Sequence, residues 1–228
     1  MPKTRKPVAD YITFEQYQKM LKNEPDPRMR LCYRYIWTFM LRVSEAVGQA
    51  PHEVEAIKRL RKKAEKIPLK RFKVRMRLWN GPLPGLRPCD IDAVSPTEAG
   101  LKAKHTLRVY RKMGKFEILP FNDLQLFKDT KLLIGGYGVN EEDRIFPYYR
   151  SDVLSAMQKH GYTVGGQTRI HPHALRRGGG VYMRNKGKLQ IEDLQAVYSH
   201  SNLAQTLAYI GIDKSHALNR FAQAQARK

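Results

Sequence analysis

The sequence predicts a mainly α fold with a small antiparallel β-sheet, an α+β domain, and three observations carry that reading. Apolar residues recur at helical spacing behind recognisable caps along most of the chain. Alternation of apolar and polar residues, the mark of a half-buried strand, is confined to residues 72–78 and to a pair of segments between 106 and 119. At 228 residues the chain can bury a core of ordinary size, and no break in composition divides it into two domains.

Residues 1–10 are basic and unpatterned, and read as a flexible arm ahead of a body spanning 11–228. Thr13 and Gln16 form a capping box before Tyr17, Met20 and Leu21, which opens a first helix. Asp26 followed by Pro27 is an N-cap with proline at N1, and the helix behind it runs through Leu31, Tyr35, Ile36 and Phe39. Arg42 then interrupts an apolar run of Phe39, Met40, Leu41 and Val43. A cation there is costly unless paired, and Glu45, three residues on, is placed to pair with it. By itself that pattern describes an ordinary surface ion pair.

Residues 51–66 read as a helix, with Pro51 near the start, Glu53 and Glu55 in the first turn and cations at the end. Beyond Pro68 the period changes to two: Phe72, Val74, Met76 and Leu78 alternate with Arg71, Lys73, Arg75 and Arg77. Residues 96–100 form a turn. Thr106, Leu107 and Val109 lead a strand into Lys112-Met113-Gly114-Lys115, and Phe116, Ile118 and Leu119 lead out, a hairpin with glycine at its tip. Asp123 to Gly138 reads as a helix ending in a glycine-rich loop, Ser151 to His160 as another, and residues 161–166 as a loop.

The formal net charge is +21, and between Lys58 and Arg77 eleven Lys and Arg residues face a single Glu65. Such self-repulsion is tolerated against a polyanion, and nucleic acid is the commonest one. Arg59, Lys62, Lys63, Arg71, Lys73, Arg75 and Arg77 are the candidate contacts to a phosphate backbone. Charge alone is shared with ribosomal and chromatin proteins. The two cysteines, Cys32 and Cys89, show neither a disulfide framework nor metal-type spacing. No apolar run reaches membrane-spanning length and no signal sequence opens the chain, so the expectation is a cytoplasmic protein with no membrane partner.

The chemistry concentrates between His171 and Tyr209. His173 and Arg176, three apart, can share one helix face and point at one anion. His200 and Tyr209 are nine residues apart, more than two helical turns, so they meet only across a break. Ser201 and Asn202 are suitable N-caps for a helix that starts after such a break. A guanidinium, two imidazoles and a phenol in one short region point to chemistry on a phosphate. His171, before a proline, reads as structural.

The string H-P-H-A-L-R from His171, followed by S-H-S-x-x-x-x-T-x-x-Y from Ser199, resembles the C-terminal signature of the tyrosine recombinases, the integrase family that is similar to type IB topoisomerases. F-M-L-R-V-S-E, Phe39 to Glu45, resembles that family's first-arginine box, and L-R-V-Y-R-K-M-G-K-F-E-I-L-P, Leu107 to Pro120, its lysine hairpin. The matches come in family order over residues 12 to 212. The resemblance implies the tyrosine-recombinase catalytic-domain fold and strand cleavage and rejoining through a 3′-phosphotyrosine, without metal or other cofactor. It implies double-stranded DNA as partner, self-assembly from dimer to tetramer on that DNA, and a prokaryotic or viral origin.

Carried over residue by residue, Tyr209 is the nucleophile, Arg42 and Arg176 bind the phosphate, and Glu45 supports Arg42. His173 is the candidate base and His200 a hydrogen-bond donor. Lys112 is the general acid, with Lys115 as its alternative. Two other readings share the charge: relaxation of DNA in the manner of a type IB topoisomerase, and a basic DNA-binding protein without catalysis.

The chain also departs from the family. About forty residues separate the first-arginine box from Gly85-Leu86-Arg87-Pro88-Cys89-Asp90-Ile91-Asp92, so an insertion around 51–83 is expected, longer than common loops. Nothing reads as the separate N-terminal clamping domain: either the chain is a catalytic half, or the basic insertion partly substitutes for that domain. Gly178-Gly179-Gly180 interrupts a helix at a cost of about 3 kcal/mol relative to alanines, unless the glycines admit a close neighbour. Ser199 stands before His200 where glycine is common.

Overall fold

The computed structural model describes residues 11–55, 59, 83–111, 116–161, 163–164, 168–186, 189–200 and 202–209. Helix α1 (Phe14–Asn23) begins at the expected box: Gln16 N–H donates to Thr13 Oγ1 at 3.2 Å, and Thr13 N–H to Gln16 Oε1 at 2.9 Å. Helix α2 (Pro27–Thr38) is capped by Asp26, whose Oδ1 accepts from Arg28 N–H at 2.9 Å. It supplies the centre of the core through Leu31, Cys32, Tyr33, Tyr35, Ile36 and Trp37.

The helix stops at Thr38, one residue short of the expected Phe39, which becomes its C-cap. Met40 follows with φ of 49°, and this left-handed residue turns the chain so that Arg42 becomes the N-cap of helix α3 (Val43–Val47).

Residues 51–55 and 59 are helical, in keeping with the first part of the expected basic helix. The expected strand at 72–78, and with it Lys62, Lys63, Arg71, Lys73, Arg75 and Arg77, lies outside the described residues. The two ends of this segment are fastened together. Gln49 N–H donates to the Leu83 carbonyl and Leu83 N–H to Gln49 Oε1, both at 3.0 Å, while Leu86 N–H reaches the Ala46 carbonyl at 2.9 Å. Gly48 lies against the 84–85 backbone, where a Cβ would stand 2.7 Å from the Pro84 carbonyl oxygen, at a φ of +80° that only glycine adopts freely.

After a 3₁₀ turn (Pro88–Asp90) come strands β1 (His105–Tyr110) and β2 (Phe116–Phe121), antiparallel from His105↔Phe121 to Tyr110↔Phe116. Leu107, Val109, Leu119 and Phe121 are their buried hydrophobic residues. The hairpin tip, with Lys112 and Lys115, lies outside the described residues.

Helix α4 (Leu124–Tyr137) starts on the Asp123 cap and ends at Gly138, with φ of 60°. Gly135 and Gly136, expected in a terminal loop, are inside the helix; only Gly138 takes the left-handed state that ends it. Helix α5 is Arg150–Lys159. The expected loop at 161–166 instead contains the short strand β3 (Thr163–Val164), which pairs with β4 (Thr168–Arg169) just beyond it, both too short for periodicity to reveal.

Helix α6 (Pro172–Lys186) packs chiefly on α2 and continues through all three glycines. A Cβ at Gly178 would stand 2.5 Å from the Ile12 carbonyl oxygen and 2.6 Å from the Trp37 ring; at Gly179 it would overlap the Trp37 carbonyl, and at Gly180 the Tyr198 hydroxyl. The glycines are therefore the surface on which α2 and Tyr198 rest. Helices α7 (Ile191–Tyr198) and α8 (Leu203–Tyr209) close the described chain. Among the described residues no helix is long and apolar enough to cross a membrane.

Candidate active site

The site is built around one carboxylate. Glu45, in the first turn of α3, has a side chain with no exposed surface, and three guanidiniums converge on it from three parts of the chain. Arg42 Nη1 donates to Glu45 Oε1 at 2.6 Å, and Arg42 N–H to Oε2 at 2.7 Å. Arg111 Nη1 reaches Oε2 at 2.9 Å and Arg176 Nη1 the same oxygen at 3.4 Å. Burial pushes the Glu45 pKa up, but Arg111, Arg176 and Arg42 outweigh it and hold the carboxyl below its ordinary value. The Arg42–Glu45 pair, which by spacing alone reads as a surface ion pair, is thus half of a buried cluster, in which only Arg42, with 26% of its side chain exposed, opens to solvent.

Arg176 is 1% exposed. Its Nη2 donates to the Tyr198 carbonyl at 3.0 Å and its guanidinium lies 4.9 Å from the centre of the Tyr198 ring. His173, one turn earlier on α6, is exposed, so the three-residue step brings both onto the first turns of the helix but leaves only the imidazole facing outward. His171 accepts from Ala174 N–H at 3.2 Å and so completes the start of α6, the structural role expected of it.

His200 stands at the break expected between the last two helices. Ser199 ends α7 in the left-handed conformation, φ 54° and ψ 44°, which is the reason a glycine suits that place. Asn202 caps α8, accepting from Gln205 N–H at 2.9 Å. The His200 ring stacks on Tyr198 at 5.0 Å, and its Nδ1 lies 3.0 Å from the Thr206 hydroxyl.

The field of the arginines reaches both imidazoles. Desolvation first, then Arg176, His171, Arg177 and Arg42, lowers His173 to about 4, even though the residue is open to solvent on one side. Desolvation, Arg176 and Arg42 lower His200 to about 4 as well. Since Arg42 and Arg176 act on both histidines, these four groups and Glu45 form one electrostatic unit.

Tyr209 is the last residue of α8, and its side chain lies outside what is described, as do Lys112 and the basic positions from Lys62 to Arg77. Arg59 is exposed. The group that sequence reasoning missed is Arg111, 3% exposed. Its signal was present: strand alternation puts Arg111 on the same face as the buried Leu107 and Val109, where a cation requires a carboxylate. Among the described residues no set of three or more His, Cys, Asp or Glu side chains could hold a metal ion.

No protein-family model matches the sequence, and no curated protein is significantly similar to it. Solved structures do match. The fold superposes on XerA recombinase with a TM-score of 0.57 at 16% identity, covering 98% of this chain and 66% of that one. For XerH site-specific recombinase bound to its difH substrate the values are 0.57, 13%, 97% and 56%. For the Tn1549 transposon integrase in complex with transposon right end DNA they are 0.51, 13%, 93% and 65%. The chain therefore spans between about half and two thirds of the length of these proteins. It has the tyrosine-recombinase fold, mostly helical with small antiparallel sheets.

Proposed function

We propose that the chain cleaves and rejoins DNA strands through a 3′-phosphotyrosine, as a site-specific recombinase or integrase. The observation that carries this reading is the buried Glu45 holding Arg42 and Arg176, with His173 and His200 in the field of both, ahead of a helix that ends at Tyr209. Attack on a phosphodiester adds negative charge to the non-bridging oxygens, and preorganised cations directed at that charge are the usual dominant source of rate. Arg42 is the exposed donor. Arg176, enclosed beside it, contributes its charge.

In this scheme the Tyr209 phenol attacks phosphorus and its proton passes to His173, which is neutral at pH 7 and therefore able to accept it. His200 has Nδ1 against the Thr206 hydroxyl, and in the tautomer that accepts there Nε2 carries the hydrogen that it offers to a phosphate oxygen. The bond to the 5′-oxygen breaks, and Lys112 protonates the leaving oxygen. A phosphotyrosine and a free 5′-hydroxyl result. Attack by another 5′-hydroxyl reverses the step and exchanges strands. The residues named supply the charge and proton transfers without a metal ion. The partner is double-stranded DNA, on which two to four copies assemble, and the setting is cytoplasmic.

The test is covalent capture. The protein is incubated, with a chelator present, with a pool of nicked duplexes of randomised sequence that cannot religate, and denatured adducts are collected. The wild type should yield an adduct mapping to Tyr209. Tyr209→Phe should yield none while binding duplex DNA within about twofold of wild type, because only the reacting oxygen is lost. An adduct that persists in Tyr209→Phe contradicts the assignment.

A further inference from the structure

The hairpin and the turn that carries His200 are joined by a chain of polar contacts that the proposed chemistry does not use. Arg111, with 4% of its side chain exposed, places its three guanidinium nitrogens on three different elements. Nη1 donates to Glu45 Oε2 at 2.9 Å, Nη2 to the Val197 carbonyl at 3.0 Å, and Nε to Glu117 Oε2 at 2.8 Å. The other Glu117 oxygen, Oε1, accepts from Ser199 Oγ at 2.5 Å. Ser199 is the left-handed residue immediately before His200, and Val197 lies in the last turn of α7.

We propose that Arg111 and Glu117 are positioning residues for His200: the relay Glu45–Arg111–Glu117–Ser199 fixes the turn at the end of α7 and so aims the His200 ring at a phosphate held by Arg42. The inference rests on the phosphotyrosine reading above and adds to it how the hairpin and the turn are held together.

Each link requires its present chemistry. A planar guanidinium can serve three acceptors in three directions, which an ammonium on a flexible stem cannot reproduce. Glu117 needs both carboxylate oxygens, one for each neighbour, and a glutamine offers only one acceptor. Ser199 holds a left-handed conformation that costs a residue with a Cβ about 1 kcal/mol or more, so its hydroxyl contact to Glu117 offsets strain that glycine would not carry. His200 is held in addition by its own N–H to the Gln195 carbonyl at 3.1 Å, so loss of the relay loosens the turn rather than unfolding it.

The experiment uses the full chain and a single nicked duplex, the one captured most efficiently from the randomised pool. Single-turnover adduct formation is measured for Glu117→Gln and Ser199→Gly, each alone and combined with His200→Ala, together with duplex affinity. Ser199→Gly removes the hydroxyl and relieves the strain, so its folding is not in question. Arg111→Lys is a third, harsher variant.

Both mild variants should slow cleavage roughly tenfold to a hundredfold at unchanged affinity, the effect of a misplaced group near the reacting atoms. In the His200→Ala background the same changes should cost less than about twofold, because the group they position is gone. Equal slowing with and without His200 means the contacts serve only the fold and overturns the proposal, as does cleavage at the wild-type rate. If the wild type itself forms no adduct with any duplex of the pool, the phosphotyrosine reading fails, and this inference fails with it.

Discussion

At the scale of single residues, the site is organised by an excess of positive charge around one buried carboxylate. Three guanidiniums on Glu45 keep it ionised, while desolvation first, then Arg176 and Arg42 from the same cluster, hold His173 and His200 neutral, each near 4 rather than the ordinary 6.5. The consequence for pH follows from which state binds more protons. Between about 6.5 and 4 the unfolded chain protonates these histidines and the folded chain does not, so stability falls as pH falls through that window and is level above it. A DNA phosphate reverses the local field and raises both values, so binding takes up protons and affinity strengthens over the same range. Between about pH 6.5 and 5, where exposed carboxylates stay ionised, the melting temperature of the free protein should drop while duplex Kd also drops. The double change His173→Asn with His200→Asn should flatten both trends. A His173 resonance titrating near 6.5 in the free protein would contradict the account.

At the scale of elements, the contact of α6 with α2 decides where His173 and Arg176 stand. Three consecutive helical glycines cost about 3 kcal/mol relative to alanines, and that cost allows the Trp37 backbone and the Tyr198 hydroxyl to come within contact of the helix. Tyr198 then donates to the Arg176 carbonyl at 3.3 Å and lies under the Arg176 guanidinium. Gly179→Ala should therefore destabilise the protein by about 1–3 kcal/mol through overpacking, in spite of its better helix propensity. Gly135→Ala in α4, where nothing lies within 4 Å of the new Cβ, should instead stabilise by up to about 1 kcal/mol. Urea midpoints of the two variants, moving in opposite directions, check the pair. A Gly179→Ala protein as stable as wild type would mean that α2 can withdraw without cost.

At the scale of the whole molecule, the described residues on either side of the basic segment meet at one place. The Gln49–Leu83 bonds and the Gly48–Gly85 contact hold the described residues on its two sides together. That arrangement suits an insertion whose charge serves binding rather than the reacting centre. Neutralising Arg71, Lys73, Arg75 and Arg77 together should weaken affinity for all duplexes alike. The plot of log affinity against log salt should flatten by up to about 0.9 for each phosphate that the protein no longer neutralises. Cleavage at saturating DNA should be kept. An unchanged salt slope would place the grip on DNA elsewhere.

What the sequence by itself determined is what short-range rules decide. The Thr13 box, the Asp26 cap, the β1–β2 hairpin, the Asn202 cap and the Arg42–Glu45 pair each depend on residues a few positions apart, or on strand alternation, and each stands where those rules put it. Four features were decided only by the tertiary structure. Glu45 is shared by Arg111 and Arg176 as well as Arg42; Arg176 is enclosed while His173 is open; the three glycines are a packing surface rather than a break; and β3 pairs with β4. The first three depend on contacts between residues far apart in the chain, whose partners no local pattern names, and the fourth on strands of two residues, too short to show a period. Strand alternation marks Arg111 as inward-facing, but on a helix a buried arginine and a surface arginine look alike in sequence. Which one carries a carboxylate, and whose it is, is decided when α3, β1 and α6 meet.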